Sequence, residues 1–439
     1  MEAVRLRPLV EVVQDADGAL FLLRGPAGGD CVIRTPPAAA VPLVRALARG
    51  GTVTQLAALV RAGGHAVDDA TVAAMLEELA AVGVLERLPE TPDDERLSRQ
   101  LLYLRDRAPA GADAAAMQRR VAAARVVVLG CGGLGSWAAT GLACIGVGSL
   151  ALVDDDSVEL SNLNRQLLFK ESDLGRPKVE AAAQALRSFN SDMAVEPLRR
   201  RLASRDDVAE AIEGASLVLA CADRPPYVIA RWINRACLDA GIAHISAGQL
   251  PPTIRVGPLV EPGTTACLGC LELALREENP LYDRLERLRA RDARPMATLG
   301  PASGIVGSMI ATEVLHHLTG LAPPATRDAV WTMDLRTLAS ERRAIVRRPD
   351  CPECGDGHAA SRIAAATSAA PTGRTTRSPI RRARSAAMTP VSAAISANED
   401  MLDANMTSIS AQQQPTQERP NDAPIASASR RGAPRPQRR

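Results

Sequence analysis

Residues 125–135 read RVVVLGCGGLG, and this stretch decides the fold. Val126 to Leu129 form an apolar run of the length of a short buried strand. Gly130, Gly132, Gly133 and Gly135 then let the backbone turn tightly, so that an anion can approach the N-terminus of the helix that follows. Strand, glycine turn and helix predict the first unit of an α/β fold, a Rossmann-like, mostly parallel sheet with helices on both faces. Asp154, in LALVDDD, lies nineteen positions after Gly135, where a ribose-binding carboxylate belongs. These two features alone favour a nicotinamide oxidoreductase.

The residues behind them shift the reading. Residues 153–178, VDDDSVELSNLNRQLLFKESDLGRPK, carry Asp156, Asn162, Arg165, Gln166 and Lys178. A hydride-transfer site has no use for such a concentration of cationic and amide groups, whereas a triphosphate does. Splitting the α from the β phosphate builds charge on a pyrophosphate leaving group, and fixed cations aimed at that charge supply catalysis. Among 52 basic residues only Lys170 and Lys178 are lysines, and one of the two occupies GRPK, where a compact ammonium can sit among phosphate oxygens. Asp223 closes the apolar run SLVLACAD, at a strand end of the kind where open parallel sheets bind ligands.

Four cysteines form two C-x2-C pairs, Cys267/Cys270 in ACLGC and Cys351/Cys354 in CPEC. Each knuckle offers two sulfurs with the bite of one metal, so the pairs predict one tetrahedral zinc (Zn2+) with four thiolate ligands. Four thiolates leave no position for water, which makes the metal structural. Cys221, Cys131 and Cys144 read as buried small hydrophobes, and His244, His316 and His317 as packing or surface residues.

Taken together, GCGGLG, VDDDSVELSNLNRQ, GRPK, VLACAD and the two cysteine pairs resemble the MoeB/ThiF/HesA family of the ubiquitin-activating-enzyme superfamily over about residues 96–356. The resemblance implies an enzyme that uses ATP and magnesium (Mg2+) to adenylate the C-terminal carboxylate of a small protein or peptide, working as a homodimer. It implies that Gly133 lies against the phosphates and that Asp154 takes the ribose hydroxyls. Asn162, Arg165 and Lys178 would hold the triphosphate, with Asp156 and Gln166 in the same nucleotide site, and Asp223 would hold magnesium. Arg99 in LSRQ resembles the arginine that reaches the triphosphate across the dimer interface. Ser98 replaces the family's usual Asn, and Arg224 follows Asp223 where an Asn is common. No cysteine occurs between Cys270 and Cys351, which disfavours covalent relay through this chain.

The rest of the 439 residues bounds the class. Hydrophobic residues make up 46% but aromatics only 2%, so the core must be built from Ala, Val and Leu. No apolar run reaches the ~20 residues of a membrane span, no export signal opens the chain, and the cysteine usage fits a reducing cytoplasm. Residues 359–439 hold twelve arginines against five acids and few bulky apolar residues, and are expected to be a disordered basic tail.

Residues 1–90 suggest a separate module. Two strands flank a turn at Asp17-Gly18, a third strand covers residues 31–35, and three amphipathic helices follow, capped by Thr52 or Thr54 and by Asp68 or Asp69. The order suggests a small winged-helix-like α+β module. Fourteen acids against eight arginines over residues 1–95 disfavour nucleic acid. Strand addition of a peptide needs no positive charge. The module resembles the PqqD-like leader-peptide recognition element of ribosomal peptide (RiPP) pathways, which implies a peptide substrate. The favoured function is therefore adenylation of a peptide or small-protein carboxylate in peptide maturation. The alternatives are a sulfur-carrier adenylyltransferase of molybdopterin or thiamine synthesis, and a non-catalytic leader-binding partner of a cyclodehydratase.

Overall fold

A computed structural model describes residues 2–24, 30–88, 94–109, 112–291 and 297–355; the expected basic tail lies outside them. The N-terminal elements are β1 (Val4–Leu6), β2 (Glu11–Gln14), β3 (Leu20–Leu23), β4 (Cys31–Ile33), α1 (Ala40–Leu47), α2 (Val53–Ala62), α3 (Asp69–Ala81) and β5 (Leu85–Arg87). Then follow α4 (Ser98–Arg107), α5 (Ala114–Ala123), β6 (Arg125–Leu129), α6 (Gly133–Cys144), β7 (Ser149–Val153), α7 (Lys178–Phe189), β8 (Ala194–Leu198), α8 (Arg205–Ala211) and β9 (Leu217–Ala220). The chain continues with α9 (Val228–Ala240), β10 (Ala243–Leu250), β11 (Thr253–Val260), α10 (Leu268–Glu278), α11 (Tyr282–Arg291), α12 (Gly300–Thr319), β12 (Ala329–Asp334) and β13 (Ser340–Ala344).

The main sheet runs β13-β12-β11-β10-β9-β6-β7-β8. From β8 to β10 neighbouring strands are parallel, and β11, β12 and β13 extend the sheet antiparallel. β6 is apolar and buried from Val126 to Leu129 because strand side chains alternate and both faces are covered. Val126 and Val128 enter a core with α6, α7 and α12, while Val127 and Leu129 enter a second core with α8 and α9. The two-faced α/β sheet expected from residues 125–135 is the one observed.

Helices α6 and α12 approach closely because their contact is lined with small residues. A Cβ at Gly141 would meet that of Ala311 at 2.7 Å, and a side chain at Gly307 would collide with Trp137. That contact fixes the start of α6, and with it the glycine loop, against the start of α12.

The N-terminal elements enclose their own apolar cluster, with Leu20, Leu22, Leu43, Leu47, Leu56, Val72 and Leu76 at its centre. Of the alternative caps, Thr52 and Asp68 are the ones used. Thr52 forms a capping box with Gln55, and the Asp68 carboxylate accepts from Thr71 N at 2.7 Å. The β2–β3 connection is a three-residue loop closed by Asp15 and Ala19, with Gly18 at φ +89, in place of a minimal two-residue turn. β4 lies at the edge of a three-stranded sheet ordered β2-β3-β4, and the pairing of β1 with β5 was not anticipated. Arg7 is buried, and its Nη1 donates to the carbonyls of Arg105 (2.7 Å), Asp106 (3.1 Å) and Ala108 (2.9 Å), which caps the end of α4. No helix among the described residues is long and apolar enough to cross a membrane.

Candidate nucleotide site and cysteine cluster

The glycines of the loop do different jobs. Gly130, at φ +95, takes a left-handed turn that other residues resist, and a Cβ there would press to 2.8 Å on the backbone of Ala222. A Cβ at Gly135 would collide with the carbonyl of Gly130. Gly132, the N-cap of α6, meets nothing within 4 Å and caps the helix with no side chain. The first turn of α6 thus presents N–H donors behind an open approach, as an anion site requires. Gly135→Ala is expected to cost about 1–3 kcal/mol of stability, the usual penalty for forcing atoms into a packed place. Gly132→Ala should leave thermal unfolding unchanged and weaken nucleotide binding, which calorimetric titration with ATP would read.

Asp154, just past β7, faces this loop. Its Oδ2 accepts from Cys131 N at 2.7 Å and its Oδ1 from Asp156 N at 2.9 Å. Burial lifts its carboxyl above the usual carboxylate range, against the pull of these two N–H groups and of the Lys178 charge. Lys178 opens α7 and is buried; its Nζ lies 2.8 Å from Asp156 Oδ2 and its backbone N–H donates to the Asp156 carbonyl at 2.9 Å. Asp156 therefore holds Lys178 in place.

Arg165 lies over the start of α6, where its Cγ and Cδ would be 3.5 and 3.6 Å from a Cβ at Gly133. Its Nη1 donates to Ser161 O at 2.8 Å and Asn164 Oδ1 at 3.0 Å, and its carbonyl accepts from Trp137 Nε1 at 3.1 Å. Asn162 is buried and its Oδ1 accepts from Glu159 N at 3.1 Å, fixing the short turn that carries Arg165. Gln166 is also buried, with Oε1 unpartnered among the described residues. Asp223 is exposed in the loop leaving β9, next to the Ala222 backbone that abuts Gly130.

Arg99 is not part of this gathering within one chain. The next residue, Gln100, donates to the carbonyl of Ile145 at 2.8 Å, and Ile145 caps the far end of α6. Helix α6 has 12 residues, so about 18 Å separates its two ends.

Two residues join the cradle that sequence reading missed. Gln249 Nε2 on β10 donates to Ser303 Oγ on α12 at 2.7 Å, and that hydroxyl would lie 2.8 Å from a Cβ at Gly133. Gln249 Oε1 is buried without a partner among the described residues. Nothing in the local sequence marks either residue, since both reach the loop only through the α6–α12 contact. Cys131 is buried and Cys221 half-buried, its thiol pushed up to about 12 by burial. Cys144 departs from expectation: it is exposed, because it ends α6 on the helix face turned away from the core.

The two cysteine pairs meet. Cys267 precedes α10, Cys270 lies in its first turn, and Cys351 and Cys354 return after β13. The four Sγ atoms lie within 4.8 Å of one another, with Cys267–Cys351 at 3.7 Å and Cys270–Cys354 at 3.4 Å. A tetrahedral zinc with Zn–S near 2.3 Å places sulfurs roughly 3.8 Å apart, so the group fits that ion. Backbone N–H groups of Arg348 and Glu353 point at Cys270 and Cys351, each at 3.5 Å, as donors to thiolates would. Gly269 is required between the first pair, since its Cβ would come 3.0 Å from Cys351 Sγ.

The sequence profile of the ThiF family matches residues 97–353. The chain is 33% identical over 267 residues to the sulfur carrier protein ThiS adenylyltransferase of Escherichia coli (strain K12), an alignment covering 61% of this chain and 97% of that protein. It is 35% identical over 235 residues to the molybdopterin-synthase adenylyltransferase of Salmonella typhimurium, covering 53% and 87%. Among solved structures it is similar to the microcin C7 biosynthetic enzyme MccB in complex with N-formylated MccA, with a TM-score of 0.64, 22% identity and coverage of 80% and 100%. E. coli MccB with ATP gives a TM-score of 0.63 at 22% identity and the same coverage. At that identity the likeness concerns the fold, and it extends beyond residues 97–353.

Proposed function

The chain belongs to the ThiF family and is an adenylyltransferase of the ThiF/MoeB type, and from that premise we propose that it activates a carboxylate of a peptide or small protein in ribosomal peptide maturation. The carrying observation is the uncapped first turn of α6 with Arg165 lying over it. The first-turn N–H groups receive phosphate oxygens, and Asp154 accepts from ribose hydroxyls. Arg165 and Lys178 stabilise the charge that grows on departing pyrophosphate, and Asp223 would hold the magnesium that shields the phosphates. The substrate carboxylate attacks the α phosphorus, giving an acyl adenylate and pyrophosphate. Arg99, distant from the cradle of its own chain, would serve that of a second copy in a homodimer. Incubation with ATP and a substrate peptide should yield pyrophosphate and the acyl adenylate, whose cleavage by water or another nucleophile then frees AMP; release of ADP and phosphate would overturn the reading.

Residues 1–90 are assigned to peptide capture as a PqqD-like, winged-helix-like module. Support comes from the edge position of β4, whose Val32 is 47% exposed, and from the module's acidity. Backbone donors alternate along an edge strand, so one of the Val32 and Ile33 N–H groups faces the partner strand and the other faces outward. Proline removes a donor. Of Val32→Pro and Ile33→Pro, one should raise KM for the full-length peptide tenfold or more, on the order of losing two or three strand-pairing hydrogen bonds, with stability retained. The other should mainly lower the unfolding temperature.

A second reading, adenylation of a ubiquitin-like sulfur carrier, is favoured by the sequence relatives. It predicts a protein partner ending in Gly-Gly as the substrate that drives pyrophosphate release. It also predicts that the β4 proline variants leave KM unchanged.

A further inference from the structure

We propose that Arg255 is a specificity residue that binds a carboxylate of the molecule being adenylated, either a free C-terminal carboxylate or an acidic side chain near it. The inference rests on the adenylation reading above. β10 runs parallel to β9 up to the pair Ser246–Ala220, where β9 ends, and then continues to Leu250 alongside β11. Arg255 pairs with Gly248 in this overhang, beyond the end of the strand from which the chain leaves toward Asp223. Ile254 and Val256 enter the core beneath α12, so by alternation Arg255 points to the opposite face of the sheet. That is the face of α9, to which Arg231 ties both α10, through Glu272, and α11, through Glu286.

On this face Arg255 stands apart from its neighbours. Arg231, Arg235 and Arg276 are each paired with an acid, whereas no acid pairs with Arg255 among the described residues. Among the described residues its one hydrogen bond runs from Nη1 to Gly257 O at 3.0 Å, an oxygen that also accepts from Ser246 Oγ at 2.9 Å. A guanidinium has five N–H donors in a planar fork, so most of that fork is uncommitted, and a carboxylate is the group it matches in a bidentate way. Opposite it stands Gly248, where even a Cβ would come 3.8 Å from Nη2 and 3.9 Å from Nε, so the glycine keeps this flank clear. Burial draws the guanidinium pKa below its usual value, partly offset by Tyr282 of α11, and a bound anion would relieve that penalty. The same fixed charge would reject a substrate with lysine or arginine in that place.

The test is calorimetric titration of the full-length protein with three probes in the presence of ATP. Triglycine offers a terminal carboxylate, N-acetyl-glutamyl-glycinamide offers only a side-chain carboxylate, and triglycine amide offers neither. One carboxylate probe is expected to bind more tightly than the amide, which identifies the source. Arg255→Gln should weaken it at least about tenfold, as loss of a charged hydrogen bond does, and Arg255→Lys should weaken it less. ATP affinity should be the same in all three proteins. Equal binding of carboxylate and amide probes to the wild type, or equal carboxylate binding by wild type and Arg255→Gln, would overturn the assignment. The wild-type comparison needs no folded variant. Failure of the wild type to bind ATP would count instead against the adenylation reading.

Discussion

Arg165→Ala is expected to slow substrate-driven exchange of labelled pyrophosphate into ATP by roughly 10²–10³-fold, the usual loss on removing one preorganised electrostatic group. The effect should fall on the exchange rate while the fold is untouched. Arg165 is half-buried, and among the described residues its side-chain hydrogen bonds reach only Ser161 and Asn164, both exposed, so its removal leaves no buried group among them unpaired. On the proposed reading its value would come from position, since its side-chain stem is set against the first turn of α6. Asp223→Ala should show a loss of similar size, and added magnesium should not restore it. The unfolding temperature of both variants is the control. A variant that exchanges pyrophosphate at the wild-type rate would remove the residue from the mechanism.

The second large effect concerns the four cysteines. The purified protein should contain about one equivalent of zinc, and Cys351→Ser should lose most of it. Structural zinc contributes ~10–16 kcal/mol of apparent binding free energy in small peptides at neutral pH. Here the metal would also close a long loop, with 84 residues separating Cys267 from Cys351. The chain-entropy relation for cross-links gives about 4–5 kcal/mol for a loop of that length. At roughly 2 °C per kcal/mol for a domain of this size, the variant should unfold on the order of 10 °C lower. A strong chelator should do the same to the wild type and leave Cys351→Ser nearly unchanged. Metal analysis that finds no zinc in a folded, active protein would refute the assignment.

The short-range features were legible because their chemistry is local. A strand, a glycine turn and a helix start share one stretch of eleven residues, so the first unit of the sheet, the open cap of α6 and the left-handed Gly130 follow from residues 125–135. Asp154 and Lys178 lie within two further elements of the same motif. The cysteine pairs were legible for another reason, since two thiolates at C-x2-C spacing match one metal wherever the chain carries them. Cys144 was misjudged because a helix end has an exposed side that the chain's apolar content does not reveal. The β1–β5 pair was missed because each strand has only three residues and takes its partner from some eighty positions away.

By itself the sequence determined the two-faced α/β sheet, the glycine turn, the run of amide and cationic residues behind it and the paired cysteines, because each is written in contiguous residues or in a fixed spacing. Only the tertiary structure decided which distant residues come together around the glycine loop. It brought Ser303 and Gln249 to Gly133 by packing small residues between α6 and α12, gave Asp156 to Lys178, and stood Arg255 on an overhang without an acid partner among the described residues. It also set Arg99 at the far end of α6 from the cradle of its own chain. Those relations join positions up to 170 residues apart, as Gly133 and Ser303 are, and they follow from close packing and strand alternation, which no local spacing encodes.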